Sequence, residues 1–479
     1  MTNENLNEAA VKPKEVLPKF SSEILTDVTD PLQFGYTKPA SASYVYLISA
    51  VAALGGLLFG FDTAVINGAL VFLKKEFMLN DLQTEIAASS ILLGCVFGAG
   101  FAGGLTDRFG RKRLLFSAAA LFLISALGAA LPNNLTQFAV ARFIGGLAIG
   151  VASMLAPLYI AEISPARIRG RIVTLNQLAI VSGILIAYIV SWGLSGIGES
   201  SWRWMFASAA IPSLLFLLAL LFVPESPRWL IQKGKRSEAL KILTKLSGSH
   251  EAQKQVGEIK QALAQETGTL RELFGIALRK PLIIAVGLAV LQQITGINTI
   301  LYYGSIIFTE HSSQSASSAI GANTIVGLIN LIGTIIALGV IDKLGRKKLL
   351  IATSAGMAVS LGLLGFAFQQ HASPMLILSL ISIYVACFAV GLGPGAWVLM
   401  AELFPTRIRG RAMSVATTSL WCACLAISFT FLSLVKAIGV SGAFWLYGLM
   451  CVVTIVFVAI FVPETKGRTL EEIELSWTK

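Results

Sequence analysis

Residues 292–298 read Gln-Gln-Ile-Thr-Gly-Ile-Asn and lie inside a run, 281–308, that contains no charged residue. A buried amide without a hydrogen-bond partner costs about 1 to 3 kcal/mol, so three amides in one apolar segment need partners. Gly296 stands among them and weakens the helix, which lets amides from successive turns converge on one point. We therefore expect the three amides to face an internal cavity that receives a polar solute. The alternative is that they only tie neighbouring helices together.

The composition places this stretch in a membrane protein. Of the 479 residues, 55% are hydrophobic and only 13% are charged, which is too apolar for a soluble globular chain. The sequence predicts an all-α membrane protein with twelve transmembrane helices in two six-helix bundles. The twelve runs that are poor in charge and long enough to cross a bilayer as helices are 44–70, 86–106, 114–131, 136–161, 172–194, 204–223, 281–308, 318–341, 349–369, 374–400, 412–435 and 441–462.

Three charged motifs occur once in each half of the chain. Those at 104–113, 162–171 and 224–228 recur at 339–347, 402–411 and 463–468, with offsets of 235, 240 and 239 residues. The halves are therefore expected to be copies of one six-helix unit, related by an axis along the membrane normal. The predicted units are a disordered tail at 1–43, a bundle at 44–223, a helical linker at 224–280, a second bundle at 281–462 and a tail at 463–479.

The basic residues predict the orientation. Of the 37 Lys and Arg residues, 32 fall in the tails and in connections on one side of the membrane, and positive residues stay on the cytoplasmic side. Both termini are therefore expected in the cytoplasm, with the chain in the cell membrane (inner or plasma membrane). This topology and anionic lipid headgroups explain the net charge of +11. No nucleic-acid partner is expected, because aromatic residues do not interleave with the basic ones.

Neither catalysis nor a cofactor is expected. The three histidines lie in connecting segments and the five cysteines in apolar runs, so they predict no metal site and no catalytic cluster. The linker has no Walker or dinucleotide pattern, which argues against transport driven by ATP on this chain. We expect a protein that is not an enzyme, whose functional unit is a monomer in the lipid bilayer.

Asp62 and Arg142 are charged residues well inside two of the apolar runs. A charge at the bilayer centre costs roughly 2.5 to 3.5 kcal/mol on the insertion scale, so the two residues are candidates for each other. Counted along their helices, both lie about 10 to 12 Å below the outer surface, which allows them to meet. The pair can be a structural lock between two helices. Alternatively, Asp62 takes up a proton from outside and releases Arg142.

Charged side chains at the cytoplasmic helix ends are expected to form a latch that closes the inner mouth and breaks when that mouth opens. The alternative is that the arginines only enforce the orientation of the chain; matched copies in both halves favour the latch. The residues of this predicted latch are Asp107, Arg108, Arg111, Glu162, Arg169, Asp342, Arg346, Glu402 and Arg409.

Further polar and aromatic residues are expected to line the central cavity, namely Gln177, Asn330, Trp397 and Trp421. Glycines and a proline at 391–395 precede Trp397 and are expected to break or kink the tenth helix. Amides offer a donor and an acceptor to each hydroxyl, and an indole face suits the C–H surface of a sugar ring. This combination favours a neutral polyhydroxylated ligand over an ion or a lipophilic drug.

The motifs together resemble those of the sugar porter family of the major facilitator superfamily, which includes bacterial xylose–proton symporters and animal glucose facilitators. The likeness covers almost the whole chain after residue 44. It is carried by Asp-Arg-Phe-Gly-Arg-Lys at 107–112, Pro-Glu-Ser-Pro-Arg at 224–228, the stretch at 292–298 and Gly-Pro-Gly-Ala-Trp at 393–397.

The resemblance implies a rocker-switch monosaccharide transporter. The positions that hold the sugar in the family are matched here by Gln177, Gln292, Gln293, Asn298, Asn330 and Trp397. Phe59 and Trp421 match the aromatic residues of the family's cavity. Tyr302 and Tyr303 match its outer gate. Asp62 and Arg142 match the pair of the proton-coupled members, whereas passive facilitators usually carry a neutral residue in place of Asp62. The resemblance therefore implies a proton as co-substrate.

Two departures from the family pattern stand out. Leu420 occupies a position where many relatives have an amide, and the run 204–223 lacks the carboxylate of some proton-coupled relatives. Coupling would then depend on Asp62 alone. We expect a proton-coupled monosaccharide symporter that imports a hexose or pentose by alternating access. The alternatives are a passive sugar facilitator and, more remotely, a sugar sensor that does not transport.

Overall fold

The computed structural model describes residues 42–165, 169–265, 270–311, 315–405 and 408–466. Within these ranges the chain forms α-helices joined by short connections, and it contains no strand. Most of the two predicted tails lies outside the described residues.

The first six membrane crossings form what we call the N half. The sixth crossing is shared by two short helices, α6 and α7. The helices are α1 (Ala42–Glu76), α2 (Asp81–Phe109), α3 (Arg111–Ala130), α4 (Leu135–Ile163), α5 (Arg169–Leu194), α6 (Ser201–Ser208) and α7 (Ala210–Ala219).

Short helices form the linker, and seven further helices form what we call the C half. The linker helices are α8 (Pro227–Gln232), α9 (Arg236–Ser247), α10 (Ser249–Gln265) and α11 (Leu270–Leu273). The helices of the C half are α12 (Ile276–Ile294), α13 (Ile297–His311), α14 (Ala316–Leu344), α15 (Arg346–Gln369), α16 (Pro374–Val390), α17 (Leu392–Glu402) and α18 (Arg409–Phe461).

Two glycines interrupt crossings of the C half. Gly296 has a φ of +88° and separates α12 from α13, and Gly391 separates α16 from α17. A positive φ is strained for other L-residues and is open to glycine, so Gly296 permits the break. The structure thus has breaks at the two places where the sequence predicts them, beside the amides and before Trp397.

The long helix α18 accounts for the last two crossings. With 53 residues it would be about 80 Å long if straight, against a hydrocarbon core of about 30 Å. Gly439 lies within it with non-helical angles, φ +76° and ψ +162°, and divides it into two spans. Together with the ten other apolar spans of the described residues, this gives the twelve crossings that the sequence predicts.

An even number of crossings separates residue 42 from the linker and from residue 466, so all three lie on one side of the membrane, the linker side. We call the opposite side, where α1 turns into α2 near Met78, the distal side. The two halves meet along a seam of three helix pairs, α1 with α13, α2 with α18 and α5 with α14. A solute that crosses between the halves must pass along this seam.

Glycine brings α2 and α4 into backbone contact inside the N half. A Cβ on Gly94 would collide with the Phe143 carbonyl oxygen, and a Cβ on Gly146 would collide with the Ile91 carbonyl oxygen. Only glycine allows backbones to approach this closely. The close contact fixes α4 beside α2 and so positions Arg142 in the interior of the N half.

Candidate transport site

The three amides of the opening stretch form one hydrogen-bonded chain at the break between α12 and α13. Asn298 donates from Nδ2 to Gln293 Oε1, and Gln293 donates from Nε2 to Gln292 Oε1 over 3.1 Å. Gln292 in turn donates to the carbonyl oxygens of Leu392 (3.1 Å) and Gly393 (2.8 Å). These carbonyls belong to the first turn of α17, so the break in the tenth crossing supplies acceptors for the amides of the seventh.

Gln292, which the sequence predicts as a sugar ligand, is bonded within the protein in this structure. Its side chain is 2% exposed and both of its polar atoms are bonded to the protein. It ties α12 to α17, which is the helix-linking alternative. Gln293 and Asn298, at the other end of the chain, keep part of their hydrogen-bonding capacity, because an amide offers two donors and two acceptor lone pairs.

An aromatic contact crosses the seam. The ring of Phe59 in α1 lies 5.5 Å from that of Trp421 in α18, with 56° between the ring planes. The Trp421 Nε1 atom is buried and has no hydrogen-bond partner among the described residues. An unpartnered indole N–H inside a protein is costly, so it is a candidate donor to a bound polar solute.

The remaining predicted ligands lie on three further helices. Gln177 of α5 and Trp397 of α17 are half-buried, and Asn330 of α14 is 6% exposed. Among the described residues, no hydrogen bond joins any of them to the amide chain. Pockets are found between α3 and α4 and beside the linker helices α8 and α10, and neither pocket contains a predicted sugar ligand. The internal cavity that the sequence predicts therefore stays a prediction.

The predicted outer gate, Tyr302 and Tyr303, is attached to its own half. Tyr303 donates to the Ser428 carbonyl oxygen over 2.7 Å, and the Tyr302 hydroxyl lies 3.9 Å from Cys424 Sγ. Both partners belong to α18, and both tyrosines are buried. In this conformation their hydroxyls do not close the seam.

Asn67 closes the seam instead, through the backbone just before the tyrosines. It donates to Leu301 O (2.8 Å) and Ile300 O (3.3 Å), and its Oδ1 accepts from the backbone N–H and the hydroxyl of Ser305. The Tyr188 hydroxyl of α5 donates to the same Leu301 carbonyl over 2.9 Å. Asn67 was missed in the sequence, although an amide inside the apolar run 44–70 is the signal that singled out Gln292.

Two further contacts join the halves on the distal side. Glu85 of α2 accepts hydrogen bonds from Ser433 of α18, and Lys74 forms a 2.7 Å ion pair with Glu310. Glu85 was also missed, because it lies one residue before the run 86–106. These contacts, like those of Asn67 and Tyr188, lie on the distal side, where they bridge the two halves.

Asp62 and Arg142 meet as predicted from their depth. Arg142 Nη1 lies 2.6 Å from Asp62 Oδ1, and Arg142 Nη2 donates to the Asp62 backbone carbonyl over 2.8 Å. Arg142 is fully buried and Asp62 is 3% exposed, and the Phe206 ring covers the guanidinium at 5.1 Å. The contact links α1 to α4 within the N half, close to the seam.

A charged cluster closes the linker side of the N half onto itself. Arg111 forms two 2.9 Å hydrogen bonds to the Glu162 carboxylate, which also accepts from the Ser226 hydroxyl. Glu225 accepts from the backbone N–H groups of Arg111 (2.9 Å) and Lys112 (3.0 Å) at the start of α3. A carboxylate at a helix N-terminus is favourable because the first N–H groups have no partner in the helix.

The C half repeats this cluster. Arg346 pairs with Glu402 at 3.1 Å, and Glu402 accepts from the Thr465 hydroxyl at 2.6 Å. Glu464 accepts from the backbone N–H groups of Arg346 (3.1 Å) and Lys347 (3.3 Å). The repeated motifs of the sequence therefore form two copies of one structural unit.

These clusters contain Arg111, Glu162, Arg346 and Glu402 of the predicted latch. In the described residues each cluster ties helices of a single half, and closure of the inner mouth by a latch stays a prediction. Asp107 is exposed and 3.9 Å from Arg111, Arg108 lies over the Phe109 ring, and Arg409 donates to the Phe404 carbonyl. The side chains of Arg169 and Asp342 lie outside the described residues.

Cys424 is a site residue that the sequence did not suggest, because it was interpreted as a small core residue. Its thiol accepts from Asn298 Nδ2 at 3.1 Å, and its side chain is 1% exposed. It lies one helical turn from Trp421 on α18. The thiol therefore borders both the amide chain and the seam aromatics.

Comparison with known proteins fits this architecture. The sequence matches the family described as "Sugar (and other) transporter" over residues 48–477. The chain belongs to this family of sugar transporters. The transporter is 41% identical to the D-xylose-proton symporter of Escherichia coli (strain K12), over 91% of this chain and 96% of that protein. It is also 41% identical to the arabinose-proton symporter of Bacillus subtilis (strain 168), over 92% of this chain and 97% of that protein.

Solved structures show the same fold. The inward-open conformation of the xylose transporter from Escherichia coli superposes with a TM-score of 0.80 at 40% sequence identity, covering 91% of this chain and all of that chain. The transporter thus has the major facilitator fold of twelve transmembrane helices in two bundles, and it is not an enzyme.

Proposed function

We propose that the transporter imports a monosaccharide together with a proton by alternating access. The observation that carries this proposal is the buried ion pair of Asp62 and Arg142. A carboxylate that can be neutralised by a proton in the membrane interior, beside a permanently charged guanidinium, couples proton binding to helix packing. The curated relatives described as proton symporters for D-xylose and arabinose support the same assignment.

The proposed sugar ligands are the polar and aromatic groups near the seam. Gln177, Gln293, Asn298, Asn330 and Trp397 would contact the sugar, with Phe59 and Trp421 against the ring. Gln292 would position Gln293 through their mutual hydrogen bond. Amides suit hydroxyl groups and aromatic faces suit the C–H surface of the ring, so a hexose or pentose fits this set better than an ion.

The linker side is proposed to face the cytoplasm, since most basic residues belong to it. Both termini would then be cytoplasmic, in the cell membrane, and the structure would represent the inward-facing state. The bonds of Asn67 and Glu85 would break when the distal mouth opens. Each chain holds a complete set of candidate ligands, so the working unit is proposed to be a monomer, with the proton as co-substrate and no other cofactor.

A passive facilitator is the second candidate. The described residues of α6 and α7 contain no carboxylate, so Asp62 would have to couple alone. If the ion pair were only a lock between α1 and α4, sugar would equilibrate without accumulating.

Transport by purified protein in proteoliposomes distinguishes the two candidates. Labelled glucose, xylose and arabinose would first be compared by counterflow to find a transported sugar. An imposed inward proton gradient should then drive that sugar above equilibrium in the wild type, and a protonophore should abolish the excess. Asp62→Asn should equilibrate the sugar without accumulating it, while Glu199→Gln, which removes an exposed carboxylate, should behave as wild type. Accumulation by Asp62→Asn would contradict the proposal.

A further inference from the structure

Ser125 of α3 is a buried hydroxyl with no assigned partner. Its side chain is 0% exposed, and Oγ has no hydrogen-bond partner among the described residues. A hydroxyl buried in this way costs about 1 to 3 kcal/mol unless something bonds to it. Several serines in helices of this protein donate to a backbone carbonyl one turn earlier, as Ser117 does to Arg113 over 3.1 Å.

The unpartnered hydroxyl borders the Asp62 carboxylate. A Cβ added to Gly145 of α4 would collide with Ser125 Oγ and would lie 3.1 Å from Asp62 Oδ2. The two oxygens therefore flank one small space, which is kept free because residue 145 has no side chain. Ser125, Gly145 and Asp62 come from three different helices, α3, α4 and α1, that converge at this point.

The two oxygens of Asp62 are not equivalent. Oδ1 accepts the 2.6 Å hydrogen bond from Arg142 Nη1, and the backbone carbonyl accepts from Nη2. Oδ2 accepts no hydrogen bond from the described residues. A proton added to Oδ1 would point at a guanidinium that has only donors, so Oδ2 is the oxygen that can take a proton.

We infer that Ser125 is a positioning residue for proton coupling, which holds the protonated form of Asp62 by accepting a hydrogen bond from Oδ2–H. This inference rests on the proposed function. The step is a proton transfer from water to Oδ2, which neutralises the carboxylate and leaves Arg142 charged. Besides Arg142 of α4, the titratable groups close enough to Asp62 to feel its charge include the buried Cys95 thiol of α2.

The C half supplies an internal comparison. Ser360 of α15 follows Ser125 by 235 residues, the offset of the repeated motif at the start of these helices. It donates from Oγ to the Leu380 carbonyl over 2.6 Å and is 2% exposed. The serine of the half without an acidic partner is thus bonded to backbone, whereas the one beside Asp62 keeps its hydroxyl free.

Ser125→Ala tests the inference in proteoliposomes that contain the full chain. Proton-driven uptake of the transported sugar and proton-independent counterflow would both be measured between pH 5 and pH 9. Loss of one hydrogen bond to the protonated form should move the pH of half-maximal proton-driven uptake to lower pH by about half to one unit. The rate of counterflow should change less than twofold, because that exchange does not depend on the protonated form and at most one weak contact is lost. Ser125→Cys, with a weakly accepting thiol of similar size, should lie between Ser125→Ala and the wild type.

Ser354→Ala is the matched control, because Ser354 is equally buried and its Oγ is likewise unpartnered, but it lies on α15 of the C half. It should leave the pH profile unchanged. If the pH profile is unchanged in Ser125→Ala and Ser125→Cys while coupling is abolished in Asp62→Asn, the role of Ser125 is overturned and the proposed function stands. Retained coupling in Asp62→Asn would overturn the proposed function itself. If Ser125→Ala is not inserted in the membrane, the profile of Ser125→Cys decides in the same way.

Discussion

The Glu85 carboxylate of α2 accepts a 2.7 Å hydrogen bond from the backbone N–H of Ser433 and a 2.8 Å hydrogen bond from its hydroxyl, and so fastens the N half to the C half. Glu85 is 0% exposed. Hydrogen bonds to a charged group are stronger than neutral ones, and a buried carboxylate that lost them would be strongly destabilised. This contact therefore favours the conformation in which the distal side is closed.

Glu85→Ala should shift the transporter toward the distally open conformation, by about tenfold in the ratio of the two states. Met78 follows the distal end of α1, and Lys436 lies near the distal break of α18 at Gly439. Spin labels on Met78→Cys and Lys436→Cys would therefore report the separation of the halves in a background without reactive cysteines. The variant should show a larger population at long distance. Glu85→Gln should stay near the wild-type distance distribution, because its amide can still accept from the N–H group and donate to the hydroxyl. Identical distributions for the wild type, Glu85→Ala and Glu85→Gln would refute the role of Glu85.

The two linker-side clusters should differ in strength. The side chains of Arg111 and Glu162 are 7% and 5% exposed, against 15% and 26% for Arg346 and Glu402. Removing one partner of a buried pair costs about 3 to 5 kcal/mol, and less where water reaches the charge. Glu162→Ala should therefore lower the Tm of the detergent-solubilised protein more than Glu402→Ala does. An equal or larger loss in Glu402→Ala would contradict this ranking.

Gly296→Ala should abolish the arrangement of the amide chain. The positive φ of this residue costs other amino acids about 1 to 2 kcal/mol, and an added Cβ would lie 2.7 Å from Cγ of the Tyr447 ring. Counterflow should fall by at least about tenfold although the protein reaches the membrane. Gly339→Ala, at a helical position with no atom within 4 Å of an added Cβ, is the control and should transport normally.

Trp421→Phe should weaken sugar binding while retaining the aromatic contact with Phe59. It removes the unpartnered Nε1 donor, so the KM for the transported sugar should rise about two- to tenfold, the effect of one hydrogen bond. Trp445→Phe is the comparison, because the Trp445 indole already donates to the Gly362 carbonyl at 3.1 Å, away from the seam. A KM that does not change in Trp421→Phe would remove this indole from the binding site.

Features that depend on local chemistry could be predicted from the sequence. Gly296 interrupts the seventh crossing because glycine weakens a helix and accepts the positive φ of the break. Asp62 and Arg142 could be paired because the cost of a charge in hydrocarbon leaves few partners, and because helix rise converts sequence position into depth. The repeated motifs likewise fold into two copies of one cluster.

Features that depend on the direction of one side chain, or on the conformational state, could not be predicted. Gln292 and Gln293 are adjacent and point about 100° apart around the helix, and the sequence does not reveal which of the two faces the neighbouring α17. The partners of the predicted latch residues could not be predicted for a related reason. Repeated charged motifs are equally consistent with contacts within a half and between halves, and only the structure separates these cases.

The most direct test is to record sugar and proton movement together in de-energised proteoliposomes. Addition of the transported sugar outside wild-type liposomes should alkalinise the outer medium in step with sugar entry, and Asp62→Asn should admit the sugar with no change in pH. Two results would contradict proton coupling through the buried pair of Asp62 and Arg142. One is sugar entry into wild-type liposomes without alkalinisation of the outer medium, and the other is undiminished alkalinisation with Asp62→Asn.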